Sequence, residues 1–312
     1  MASGAVIWAI LLAGVALLAA LPVWRETRRR KIDAAARTDA PGRFAVLSQG
    51  VTHYRWTGPE KGPVVVCVHG LTTPSFVWNG CAAALAELGY RVLTFDLYGR
   101  GYSDNAPGVQ DAAFFLRQVQ DLLDDQKITS DFVLVGHSMG GAIAACYAAA
   151  HPDRVRHLVL ITPAGMALQA NALTRFIAKT PIIGDWLMLA FYPRQHRLHT
   201  KTERALPTSV PGIVDLQQRE LDRRGFIPAV LSSLRGILRG TSRGEHERLR
   251  DAGVPVLAIW GGRDPVIPAS AGERLAAWNP ETRQEVIATG GHGLPYTDTG
   301  AVVALVRDAL GR

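Results

Sequence analysis

Five short, largely apolar runs rich in β-branched residues, at 64–68, 92–95, 132–135, 158–161 and 256–260, most restrict what this chain can become. A strand with one wet face alternates polar and apolar residues. An unbroken apolar run instead fits a strand buried on both faces, the condition of a central parallel strand. Between the runs lie stretches of helical periodicity at 82–88, 113–123, 139–150 and 301–310. Strands alternating with helices imply a mostly parallel sheet with helices on both faces. A weaker run at 285–288 and an alternating one at 52–57, read as an early antiparallel strand, extend that sheet.

The alternation fails between 164 and about 250, where helical pieces at 173–179, 185–190, 213–223 and 229–239 follow one another without a convincing strand. A helical insertion between two core strands is the economical explanation. It divides the chain into a core over 44–163 and 251–312 and a cap over 164–250, a size that suits one α/β domain with an insertion.

Residues 5–24 carry no charge and are mostly Ala, Leu, Val and Ile, with Trp8 and Trp24 near the two ends. About 20 such residues span a hydrocarbon core of about 30 Å, and aromatic side chains favour its interfaces. Arg25, Arg28, Arg29, Arg30 and Lys31 follow directly. A cleaved signal peptide, the alternative that the small residues Ala19 and Ala20 suggest, has its basic residues before the apolar run rather than after it. The expectation is therefore a transmembrane anchor with its basic flank over 1–31 and a tether over 32–43. The positive-inside rule places the remainder on the cytoplasmic side.

The net charge of +7 is otherwise scattered, without zinc-finger spacing, a basic recognition helix or an aromatic–basic platform, so no nucleic-acid partner is expected. Cys67, Cys81 and Cys146 are odd in number and form no CxxC, which argues against a disulfide framework or a zinc site. No metal is expected.

Chemistry enters at the third apolar run. It leads into Gly136, His137, Ser138, Met139 and Gly140, and then into a helical stretch. G-x-S-x-G between a strand and a helix places a serine on a sharp turn with its hydroxyl projecting above the sheet. A serine hydroxyl is a weak nucleophile and needs a base within reach. Of nine histidines, His292 lies in a Gly-rich loop (Gly290, Gly291, Gly293) after the last strand, where loops converge on a site in open α/β sheets. Asp264 follows the run at 256–260. Ser138, Asp264, His292 is the chain order expected of a serine, acid and base on such a scaffold. Leu71, in the loop after the run at 64–68, and Met139, after the serine, are the candidate backbone donors for an oxyanion. His69 and His137 read as structural hydrogen-bonding residues.

Together these residues resemble the α/β-hydrolase superfamily over about 44–312. The segment Asp96, Leu97, Tyr98, Gly99, Arg100, Gly101, Tyr102, Ser103, Asp104 is similar to its loop after the fourth strand, and 261–264 and 291–293 match its acid and histidine motifs. The resemblance implies an eight-stranded, mostly parallel sheet, a helical cap inserted after the sixth strand, and no metal or organic cofactor. Haloalkane dehalogenases and epoxide hydrolases of the superfamily carry an aspartate nucleophile, from which Ser138 departs. The anchor, the GHSMGG run and the segment 160–166 look most like membrane-anchored monoacylglycerol lipases, which implies a lipid-like ester as substrate. Carbon–carbon bond hydrolases of ring-cleavage products are the alternative; they share Ser-x-Gly-Gly and a cap but usually lack an anchor. A catalytically silent, membrane-tethered binding module is the reading from another class, and the presence of all three catalytic residue types argues against it. Within the cap, Phe176, Trp186, Leu187, Phe191 and Tyr192 are the expected lining of an acyl pocket.

Overall fold

The structure, a computed structural model, describes residues 2–166 and 172–311; the stretch of the expected cap at 167–171 lies outside them. Eight strands form one sheet: β1 (Arg43–Leu47), β2 (Gly50–Thr57), β3 (Val64–Val68), β4 (Arg91–Phe95), β5 (Phe132–His137), β6 (Val155–Ile161), β7 (Val256–Gly261) and β8 (Arg283–Ile287). Their order is β1-β2-β4-β3-β5-β6-β7-β8. The β1–β2 and β2–β4 pairs are antiparallel and all others parallel. Strand β1 was not foreseen, because only Ala45 of its five residues is buried and an edge strand needs no continuous apolar run.

The helices are α1 (Ala2–Arg28), α2 (Ala34–Arg37), α3 (Asn79–Glu87), α4 (Ala112–Asp125), α5 (Met139–Ala150), α6 (Ala172–Lys179), α7 (Ile183–Thr202), α8 (Ile213–Arg219), α9 (Phe226–Arg235), α10 (Arg243–Asp251), α11 (Ala271–Trp278), α12 (Leu294–Thr297) and α13 (Thr299–Ala309). The period-2 geometry of the central strands sorts their side chains between two cores. Val66, Val68, Phe132 and Leu134 pack with Phe115 of α4, Ile143 of α5, Leu249 of α10 and Leu275 of α11. Val65, Cys67, Val133 and Val135 pack on the other face with Leu85 of α3 and Val306 of α13. Fully burying one such side chain contributes about 1.5–3 kcal/mol. Helix α10, at the end of the stretch expected as the cap, buries Leu249 in the core beside α5.

Helix α1 is long and apolar enough to cross a membrane, with a mean hydropathy of 2.6 over its apolar window and almost no residue of that window buried. Its C-terminal end is fixed to the cap. Glu26 Oε1 accepts the Gly225 N–H at 2.6 Å, and the backbone of Arg30 pairs with Asp222 and Arg224. The segment expected as a tether makes contacts of its own: Asp33 caps α2, and Arg37 pairs with Asp104 at 2.5 Å. Complementary charges on the core surface, too far away in sequence to be noticed, take up its slack.

Candidate active site

Strand β5 ends at His137, and α5 begins at Met139, leaving Ser138 as the single residue that turns the chain. Its backbone is left-handed, at φ 54° and ψ −120°, a conformation disfavoured for a side chain with Cβ and maintained only by its surroundings. Those surroundings require glycine on either side. A Cβ on Gly136 would lie 2.3 Å from the Gly140 carbonyl oxygen, and one on Gly140 would lie 2.1 Å from that of Val68. The Ser138 N–H donates to the Ile161 carbonyl at 3.0 Å, and the Ser138 carbonyl accepts the N–H of Ala164 at 2.9 Å.

The three side chains singled out by chain order meet here. His292 Nε2 lies 3.0 Å from Ser138 Oγ, and His292 Nδ1 lies 2.8 Å from Asp264 Oδ2. Asp264 Oδ1 accepts the N–H groups of Val266 (2.7 Å) and Ile267 (2.9 Å). Burial opposes ionisation of Asp264, but the bond to His292, its charge and the two backbone donors outweigh it and leave the carboxyl below its usual range. A carboxylate fixed in this way holds the Nδ1 proton and points the free Nε2 lone pair at the hydroxyl.

His137 reaches across to His292, its Nε2–H donating to the His292 carbonyl at 2.9 Å. Burial and the neighbouring His292 lower its pKa to about 3, so it is a neutral strap on the loop carrying His292. His69 is equally spent on structure: its Nδ1–H donates to the Gly70 carbonyl (2.8 Å), and its Nε2 accepts the Leu97 N–H (2.9 Å). Burial lowers His69 to about 4. The loop it shapes passes Ser138 closely, since a Cβ on Gly70 would lie 3.3 Å from the Ser138 Cβ. Leu71 lines the same cavity as Ser138, and Met139 is the first residue of α5, where N–H groups lack intrahelical partners.

Sequence reasoning missed what braces this loop. The wholly buried Arg100 donates from Nε to the Leu71 carbonyl at 3.1 Å. Its other nitrogens bond the Tyr98 carbonyl and Gln110, and reach the cap at Ala229 and Ser233. One guanidinium fork thus ties loop, core and cap together.

Above Ser138 is a cavity of about 490 Å³ between core and cap. Val230, Leu234, Leu238, Val266 and Ile267 form an apolar wall. The same cavity is lined by a polar cluster: Glu203 Oε2 accepts from Tyr296 Oη (2.8 Å) and Gln217 Nε2 (3.3 Å), which also donates to Thr73 (3.3 Å). Among the described residues no Lys or Arg lines the cavity. Also among the described residues, no three His, Cys, Asp or Glu side chains converge as a metal site would require.

Of the five expected pocket residues, the structure brings only Tyr192 to this cavity. Leu187 packs on the core of the cap, and Phe176 and Phe191 are 49% and 55% exposed. Trp186 donates its indole N–H to the Ala19 carbonyl of α1 at 2.9 Å. Helical phase is the reason. Tyr192, His196, His199 and Glu203 recur every three or four residues along one face, and Ile183, Trp186 and Ala190 occupy the opposite one.

A family model described as the alpha/beta hydrolase fold matches residues 63–299. The chain is similar to a 2-hydroxy-6-oxononadienedioate/2-hydroxy-6-oxononatrienedioate hydrolase of Cupriavidus pinatubonensis, at 29% identity over 86% of this chain and 95% of that protein. It is similar to a monoacylglycerol lipase of Xenopus laevis at 26% identity, over 81% of this chain and 76% of that one. In fold it resembles the crystal structure of a bacterial membrane phospholipase A, with a TM-score of 0.72 and 22% identity over all of this chain and 98% of the other. The matched span, the sheet order and the cap inserted between β6 and β7 agree, and the chain belongs to the α/β-hydrolase family.

Proposed function

We propose that the chain is a membrane-anchored serine esterase acting on neutral, amphipathic acyl esters. The observation that carries this reading is the continuous relay from Asp264 through His292 to Ser138, at 2.8 and 3.0 Å, in a cavity lined by both apolar side chains and a polar cluster. His292 Nε2 takes the Ser138 proton as Oγ attacks the ester carbonyl carbon. The N–H groups of Leu71 and Met139 hold the oxyanion, each contributing about 3 kcal/mol to the transition state. The tetrahedral intermediate collapses as His292 returns the proton to the leaving alkoxide. Water, deprotonated by the same nitrogen, then releases the acyl group as an acid.

The lining favours an ester over the alternative. The Cupriavidus relative is named for a dioate, a dicarboxylate. A dianion needs cationic partners once desolvated, yet this lining offers the Glu203 carboxylate and, among the described residues, neither Lys nor Arg. An uncharged acyl chain fits against Val230 and Leu234, and a hydroxyl-bearing leaving group fits against Glu203, Gln217 and Tyr296. Helix α1, followed by its basic flank, supports an anchor with the catalytic domain on the cytoplasmic side.

A fluorophosphonate probe should label the wild-type chain and not Ser138→Ala. Hydrolysis across an ester chain-length series should then favour amphipathic acyl chains. Labelling that survives Ser138→Ala overturns the nucleophile, and a preference for short, water-soluble esters overturns the lipid-like substrate.

A further inference from the structure

The outer face of the cap carries an arrangement that hydrolysis does not use. Phe176, Ile182, Ile183 and Phe191 are 49%, 83%, 56% and 55% exposed around the α6–α7 turn and the first turns of α7. Burying such residues would be the norm in a cap facing water, and a contiguous exposed apolar patch marks an interaction surface. Its place relative to α1 identifies the partner. The Trp186 indole, within this patch, donates to the Ala19 carbonyl of α1 at 2.9 Å. Ala19 lies five residues before Trp24, the aromatic residue that ends the uncharged run, which is about 8 Å along the helix axis. A cap side chain therefore meets the anchor inside the segment that hydrocarbon would surround.

Charge follows the same axis on both helices. Helix α1 is apolar up to Trp24 and then basic at Arg25 and Arg28. The outer face of α7 is apolar at Ile183, Trp186 and Ala190 and then basic, with exposed Arg194, Arg197 and Lys201 continuing the same spacing of three or four residues. Two helices that change from apolar to cationic at about one level match a bilayer, whose hydrocarbon gives way to anionic headgroups.

We propose that the α6–α7 corner of the cap is itself inserted into the bilayer beside α1, wedged there by Phe176, Ile182, Ile183 and Phe191. This rests on reading α1 as a membrane anchor. The opposite face of α7 presents Tyr192 and His196 to the cavity above Ser138, so one helix separates the acyl layer from the proposed reaction centre.

The test uses the full chain in phosphatidylcholine–phosphatidylglycerol vesicles, with an environment-sensitive thiol dye on single introduced cysteines. The native Cys67, Cys81 and Cys146 are all buried and leave the label to the new site. Ile183→Cys should show a blue-shifted emission, quenched at least two-fold by doxyl-labelled lipid. Val15→Cys, within α1, should be quenched likewise, and Val46→Cys, on the distant edge strand, should not be quenched. Quenching at Val15→Cys without quenching at Ile183→Cys overturns the wedge and leaves the anchor standing. No quenching at either site overturns the anchor and the wedge with it. A blue shift at Ile183→Cys that persists without lipid and grows with protein concentration means that a second copy covers the patch, which also overturns the proposal.

Discussion

Among the described residues, two carboxylate–imidazole pairs share nearly identical geometry in different surroundings. His292 Nδ1 meets Asp264 at 2.8 Å, and His53 Nδ1 meets Asp96 at the same 2.8 Å. Both aspartates are buried, and both accept further backbone N–H bonds: Asp264 from Val266 and Ile267, Asp96 from Ser75 and Tyr102. The pairs differ at the other ring nitrogen. His292 Nε2 faces the Ser138 hydroxyl, which can give a proton, at the floor of a cavity. His53 Nε2 faces the Pro41 carbonyl at 2.7 Å, which can only accept one. With acceptors facing both nitrogens, the site favours the doubly protonated ring, which has no lone pair to offer. Burial pulls its pKa down, but the bond to Asp96, its charge and the Pro41 carbonyl outweigh that and raise it. A carboxylate beside a histidine therefore does not make a base; the partner of the distal nitrogen decides.

The comparison is broken most directly at the hydroxyl. Ser138→Ala and His292→Ala should each lower kcat by about 10⁶-fold, and the double variant should lose little more, because residues of one relay act as a unit. If the losses multiply, the two side chains act separately and the relay reading fails. Asp264→Asn should lower kcat by about 10⁴-fold with KM little changed, since the amide supports the wrong imidazole tautomer. Arg100→Met comes next, at up to about 10²-fold in kcat, through displacement of the Leu71 carbonyl it holds. Steady-state kinetics on a soluble ester would read all of these variants. An unchanged kcat in Arg100→Met would show that the Leu71 loop holds its position without the guanidinium.

What was legible beforehand follows the same division. The turn at Ser138 could be read because its constraints lie on consecutive residues: strand, Gly136, serine, Gly140, helix. His292 and Asp264 were found by their order along the chain and their place after strands. His53 and Asp96 carry no such mark; they are 43 residues apart and meet only when β2 lies beside β4. The polar cluster of Glu203, Gln217 and Tyr296 joins three elements up to 93 residues apart. In the cap the helices were legible but their rotation was not, so Phe176, Trp186 and Phe191 were assigned to the cavity although they face outwards. Edge strand β1 and the core helix α10 escaped for a related reason, because each buries too few residues for a continuous apolar pattern.

Removing the second carboxylate separates stability from chemistry. In Asp96→Asn, the buried His53 cation loses its counter-charge, which destabilises the fold by about 3 kcal/mol. The folded fraction should keep its kcat within about two-fold, measured on the same ester below the lowered melting temperature. A loss comparable to that of Asp264→Asn would show that the buried pair is coupled to the reaction, and the contrast between the two pairs would collapse.

The smallest effect is the most specific to charge state. A histidine whose pKa is raised on folding binds its proton more tightly in the native state, so its stabilisation is complete below the unfolded value of about 6.5 and fades as pH rises through the folded value. His53 has this sign. His69, His196 and His246, lowered to about 4 by burial, have the opposite one: their contribution is present above about 6.5 and lost on acidification. The overall melting temperature therefore falls on acidification and hides His53, but a difference curve isolates it. The wild type should exceed His53→Gln most at and below about pH 6.5, and the gap should narrow as pH rises above it, with Arg37 nearby opposing the charge throughout. A gap independent of pH would mean that His53 folds as a neutral ring. Its distal nitrogen would then be the same kind of group as that of His292, and the Pro41 carbonyl would no longer set the two pairs apart.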